Sequence, residues 1–404
     1  MKKKLNLIIL FSILLISGLN FMPFARFNDV PYFQVLIVVY LLLFFLPLKN
    51  EPNLNSLTLY RFFLISSLPC IAIGLILDIS NTSNALLIYL YALFPYFLFR
   101  ISYSYLNPSI FNKMLLTLSL SMIFIVTLGW LIRFEIIPLD SIFDVKDAEF
   151  LLGYWGISYQ KSTRNHDYIY PLVGLCIHLY FYSTNYFKRI SLVLIFIFSI
   201  TLIASTSRGA IIITFILLLL LIKKSSLKKI VSFSLIFSFL IYYNYNYIET
   251  IFNLKYQEII FSIFELKNSN FSNADRIIVW GDALKASITN PFGYGISNYD
   301  YIYDKNFMGR ISYSGENAYL TLLVERGFLS FIFFLWFIIS LFKRNMLHQT
   351  GFNSFIVPAI SIYYLFNYEL NSVFPNFIFF LIFASDYLRF KYPINLKKWK
   401  TDTV

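Results

Sequence analysis

The run RISLVLIFIFSITLIASTSRGAIIITFILLLLLI, Arg189 to Ile222, decides how the chain folds. Only its centre is strongly polar: STSRGA, Ser205 to Ala210, separates two stretches made almost wholly of aliphatic and aromatic residues. As one straight helix the run would be roughly 50 Å long at 1.5 Å per residue, whereas the hydrocarbon of a bilayer is ~30 Å thick. The run therefore reads as two membrane-crossing helices, 189–205 and 209–222, with STSRGA turning between them at the membrane surface.

The rest of the chain follows the same pattern. Hydrophobic residues make up 58% of its 404 positions and charged residues 13%, about half the usual charged share of a soluble domain. Cys70 and Cys176 both fall in apolar runs and read as small core residues. Runs of about 20 mostly apolar residues give about twelve spans, near 5–23, 31–48, 57–78, 84–104, 114–137, 168–187, 189–205, 209–222, 230–248, 317–342, 351–370 and 374–391. The predicted fold is an all-α polytopic membrane protein. Residues 1–404 form a single transmembrane domain, and a large extracytoplasmic loop, 249–316, is inserted between spans 9 and 10.

Orientation follows from the charges, because short cytoplasmic loops collect Lys and Arg. With Met1 inside, the inner segments hold 20 of the 33 basic residues and 3 of the 21 acidic ones, a net of +17. The outer segments keep 13 basic and 18 acidic residues, a net of −5. Both termini are thus expected in the cytoplasm. The overall charge of +12 reads as topology and gives no reason to expect nucleic acid. The start MKKKLNLIILFSILLISGLN reads as an uncleaved first span.

All the long polar stretches then face away from the cytoplasm. In the largest, NADRIIVWGDALKASITNPFGYGISNYD (Asn273 to Asp300) reads as an amphipathic helix outside the hydrocarbon. Ser272 or Asn273 is its expected cap and Ile277, Trp280, Leu284 and Ile288 its apolar stripe; Asn290-Pro291, Gly293 and Gly295 end it. Arg276 would lie in its first turn, where the helix dipole disfavours a cation by roughly 0.3–1 kcal/mol.

Several enzyme classes lack their residues here. There is no Walker A loop, no D-x-D pair for a metal and nucleotide sugar, no H-E-x-x-H and no C-x-x-C. His166, His178 and His348 are scattered over different segments, against a metal site. The positive signal is a set of arginines. Arg164 in STRNHDY, Arg208 in STSRGA and Arg276 each stand near the outer N-terminal end of a predicted helix, where free N–H groups favour an anion. A guanidinium fork adds bidentate recognition of phosphate oxygens. Arg310 in MGRISYSGEN is a fourth candidate. Glu316, which opens the span returning to the membrane, suits a general base, with Asp167, Asp275 and His166 as rivals.

TSRGA, the pattern R-x-x-x-W-x-x-A-L-x-x-x-x-x-N-P-x-G-x-G from Arg276 to Gly295, and E-N-x-Y-L-x-x-L-x-E-x-G from Glu316 to Gly327 together resemble the O-antigen ligase and polymerase superfamily. GISYQKSTRNHDYIYPL, Gly156 to Leu172, resembles a region of its polymerases. The resemblance implies a GT-C-like, metal-independent glycosyltransferase of the bacterial cytoplasmic membrane, without cofactor. Its partners would be donor and acceptor glycans on undecaprenyl pyrophosphate, membrane lipid and a chain-length regulator protein. It implies catalytic roles for Glu316, Arg208 and Arg276, and substrate contacts from Arg164, His166, Asp167, Arg310, Trp280, Asn317 and Tyr319. Ligases of the group typically carry a histidine where this chain has Glu316, which favours a polymerase of O-antigen or capsule repeat units. A ligase and a lipid-linked glycan flippase are the alternatives.

Overall fold

A bilayer admits only helices and closed barrels, and continuous apolar runs of about 20 residues suit helices rather than the alternating strands of a barrel. A computed structural model describes residues 26–27, 30–31, 52, 54–77, 82–133, 136–137, 168–204, 207–222, 271–299, 317–347, 351–367 and 373–392. Its helices are α1 (Asn55–Leu77), α2 (Thr82–Ser102), α3 (Pro108–Arg133), α4 (Ile169–Ser183), α5 (Lys188–Ala204), α6 (Arg208–Ile222), α7 (Phe271–Thr289), α8 (Ala318–Leu347), α9 (Asn353–Phe366) and α10 (Val373–Lys391). Beyond these, the described residues hold a short 3-10 turn at Tyr103–Tyr105 and a small β ladder between Arg26–Phe27 and Val30–Pro31. The expected spans from 57 to 137, 168 to 222 and 317 to 391 each coincide with a helix. Those at 5–23, 31–48 and 230–248 lie outside the described residues.

Among the described residues four stretches are long and apolar enough to cross a membrane: Asn55–Ile73, Ala85–Tyr105, Pro108–Leu131 and Ala318–Arg344. Ile169–Ser183, Gly209–Leu221 and Asn353–Phe366 are apolar but shorter. Outward-facing Leu329, Ile332, Trp336 and Ile339 form one stripe along α8, and Leu120 and Phe124 another on α3. Such surfaces fit acyl chains better than water. Around STSRGA, α5 stops at Ala204 and α6 begins at Arg208, while Ser205 and Thr206 lie outside the described residues.

Two compact units make up the chain. The first comprises Met1–Ser17, Phe27–Met114 and Phe271–Val404, the second Gly18–Arg26 and Leu115–Asn270. In the first, α8 packs on α1, α7 and α9, while α2 packs on α1 and α10. Tyr60 sits at its centre, with ring centroids 5.2 Å from Phe337, 5.2 Å from Phe383 and 5.5 Å from Phe379. Its hydroxyl donates to the carbonyl of Ala92 at 2.8 Å, so the ring is buried without stranding a polar atom. At the other end of α8, Arg344 Nη1 lies 2.9 Å from Asp386 Oδ2, which also accepts from Ser56 Oγ. That contact ties α1, α8 and α10 together.

In the second unit α4 is buried along almost its whole length. His178 on it meets Ser119 Oγ at 2.6 Å through Nε2 and Ser191 Oγ at 3.4 Å through Nδ1, and its ring stacks on Phe198. Trp130 Nε1 donates to Thr201 Oγ1 at 3.0 Å. These bonds join α3, α4 and α5 where water is scarce and an unpaired polar group would be costly.

Candidate functional site

Two motifs distant in sequence fold onto one another in the first unit. Helix α7 ends at Thr289, and the chain reverses through Asn290, whose side-chain amide donates to the carbonyl of Gly293 at 2.9 Å. Gly293 and Gly295 adopt φ of 86° and 99°, in the left-handed region that glycine enters without steric cost. The turn seats against α8 where that helix breaks at Gly327, with φ 72° and ψ 176°.

The break sets free backbone groups that the turn then satisfies. Tyr294 N donates to Val324 O at 2.9 Å, Gly295 N to Glu325 O at 3.0 Å, and Phe328 N to Pro291 O at 2.9 Å. Cys70 Sγ on α1 adds a weaker contact of 3.3 Å to the carbonyl of Arg326. There is no room for side chains between the two strands of backbone. A Cβ on Gly327 would lie 2.5 Å from the carbonyl carbon of Phe292, and one on Gly293 would lie 2.6 Å from Gly327 N. Ala283, Tyr299 and Val324 form the small core beneath this dock, with Tyr294 and Leu320 against it.

One turn N-terminal to the break lies a small cavity with room for a water-sized group. It is lined by Phe63, Ala92, Ala318, Thr321, Leu322, Glu325, Arg326 and Asn376, from α1, α2, α8 and α10. Arg326 is 4% exposed and Glu325 2%. The guanidinium lies over the Phe63 ring, 5.3 Å from its centroid, and Glu325 supplies the neighbouring opposite charge. Nη1 of Arg326 has no hydrogen-bond partner among the described residues. The cavity begins at Ala318, the first residue of α8 and two positions after Glu316.

The expected site residues are distributed as follows. Arg208 is the first residue of α6, and Arg276 lies within α7. Because α7 begins at Phe271, ahead of the expected caps, Arg276 falls in its second turn, where the dipole penalty has faded. Asn317 Oδ1 accepts from the amides of Tyr319 at 3.0 Å and Leu320 at 3.2 Å, an N-terminal cap for α8. Tyr319 packs near Phe334 and Tyr364 and donates to Ser361 O at 3.1 Å. Trp280 is partly buried on α7. Arg164, His166, Asp167, Arg310 and Glu316 lie outside the described residues, while the rival base Asp275 lies within α7.

The expected apolar stripe of α7 needs correction. Leu284 is 48% and Ile288 73% exposed, while Val279, Ala283, Ala286 and Ser287 are buried. Small residues let α7 approach α8 closely, and the large side chains are turned away. Sequence reasoning also passed over Arg326, although an arginine and a glutamate inside an apolar run are a signal in themselves.

No curated protein matches this chain. The sequence profile of the O-antigen ligase family matches residues 192–335, a stretch that takes in α6, α7, the turn–break dock and most of α8. That match supports the O-antigen ligase/polymerase superfamily as the family of this membrane protein.

Proposed function

We propose that the protein is a polymerase of lipid-linked oligosaccharide repeat units, acting on the extracytoplasmic face of the bacterial cytoplasmic membrane. The donor is a growing glycan on undecaprenyl pyrophosphate, and the acceptor is a sugar hydroxyl of a fresh lipid-linked unit. Glu316 takes the hydroxyl proton as the new glycosidic bond forms and the bond to the pyrophosphate oxygen breaks. Arg208 and Arg276 neutralise the charge that develops on the departing pyrophosphate. Arg164, His166, Asp167 and Arg310 contact the substrates, with Trp280, Asn317 and Tyr319 supporting the same region.

The observation that carries this reading is that Arg208, Arg276 and Glu316 all fall within the stretch matched by the O-antigen ligase family. Glu316 in place of a ligase-type histidine supports joining of repeat units over transfer of finished glycan to a final acceptor. Mass analysis of glycans from cells with and without the gene tests it. Loss of the gene should leave single repeat units on the final acceptor; their absence there would point to a ligase. Removing one charge-stabilising group costs about 10²–10³ in rate, so Arg208→Ala should abolish polymer, and wild-type chain lengths in that variant would refute the scheme.

A further inference from the structure

The turn–break dock fixes the backbone of Glu325 and Arg326 on both sides. Their side chains project into the small cavity that begins at Ala318. A buried guanidinium is expensive in a span and is normally matched bond for bond. Here Nη1 of Arg326 is not matched among the described residues, and Arg326 lines the small cavity.

The lining narrows what belongs there. The group must accept from Arg326, which only donates, and it must suit Glu325, which accepts. Thr321 Oγ1 already donates its proton to Asn317 O at 3.1 Å, so toward the cavity it too offers an acceptor. A phosphate would be too large for the cavity and would face the carboxylate of Glu325. An ammonium would face the guanidinium. A hydroxyl, which accepts one bond and donates another, fits both the charges and the size.

We propose that Glu325, Arg326 and Thr321 form a subsite that receives a sugar hydroxyl of the lipid-linked acceptor. The subsite rests on the glycan-joining reading above, and it sits on the same helix that Glu316 introduces. Arg326 Nη1 donates to the hydroxyl oxygen, and the hydroxyl proton points to Glu325 or Thr321. Arg326 is thereby a positioning residue that holds the acceptor while chemistry occurs at the helix start.

The test uses the full-length protein in nanodiscs and lipid-linked glycan extracted from cells lacking the gene. Rates of glycan joining are followed against glycan concentration. Arg326→Lys keeps the charge and loses the fork, and should raise KM tenfold or more with kcat within a few-fold of wild type. Ala92→Val fills the cavity with aliphatic volume while keeping every polar group, and should raise KM similarly while leaving the melting midpoint unchanged or higher. A purely structural ion pair around an ordered water would show the opposite: an unchanged KM in Ala92→Val overturns the subsite, even if Arg326→Lys fails to fold. If wild-type protein joins no glycan yet is stabilised by it, and Ala92→Val abolishes that stabilisation, the polymerase reading falls and the subsite stands.

Discussion

Replacing Gly327 by alanine should detach the Asn290–Gly295 turn from α8. Alanine must either hold the φ of 72° and ψ of 176° found at Gly327 or abandon them. That region is essentially reserved for glycine and costs about 1–3 kcal/mol for other residues. The new Cβ would also meet Pro291 O at 2.6 Å and Phe292 O at 2.7 Å, backbone atoms that cannot swing aside. Overpacking of this kind adds about 1–3 kcal/mol. If the chain instead lets go, it loses the bonds from Tyr294 N, Gly295 N and Phe328 N, at about 1 kcal/mol each. The strained route thus sums to about 2–6 kcal/mol and the release route to about 3 kcal/mol, so the expected loss is about 3 kcal/mol. Titration with SDS in mixed micelles, followed by tryptophan fluorescence, measures the loss. Gly281→Ala is the internal reference: nothing lies within 4 Å of its added Cβ, and a helical Gly→Ala change there gains up to about 1 kcal/mol. Because Gly293 and Gly327 serve one dock, the double alanine variant should cost little more than Gly327→Ala alone. Gly327→Ala with the stability of Gly281→Ala, or fully additive costs in the double variant, would refute the dock.

Two further outcomes follow from single contacts. Asn317→Ala should lose about 1 kcal/mol in the same titration through loss of the α8 cap, and Asn317→Asp should restore it; a loss of glycan joining in Asn317→Asp at full stability would reveal a substrate contact beyond the cap. Asp386→Ala removes the partner of Arg344, whose side chain is partly exposed, and of the buried Ser56, and should cost about 1–3 kcal/mol, the range for leaving a buried polar group without its partner. Asp386→Asn should cost less, since its carbonyl still accepts one bond.

What the sequence disclosed and what it withheld differ in physical kind. The positions of the apolar helices among the described residues were legible because the signal is apolarity summed over about 20 residues, and a misjudged residue or two does not change the sum. That one helix would end near Ala204 and the next begin near Arg208 was legible too, since no unbroken helix of the combined length fits a bilayer. The face of α7 was not. Periodicity groups Trp280, Leu284 and Ile288 on one side of a helix, but only the neighbour decides which side is covered. Here the neighbour is α8, and it selects the small side chains of Ala283, Ala286 and Ser287, so that backbone meets backbone and the broken carbonyls of Val324 and Glu325 find amides. The same closeness explains why Arg326 was passed over. As a letter in VERG it is one cation near a helix end, and its chemistry appears only when Phe63 from α1, Ala92 from α2 and Asn376 from α10 enclose it. The dock is therefore what gives the buried pair its fixed geometry: loosening the glycine contact should misplace Glu325 and Arg326 without altering either side chain, and Gly327→Ala should raise KM for lipid-linked glycan in whatever fraction of the protein remains folded.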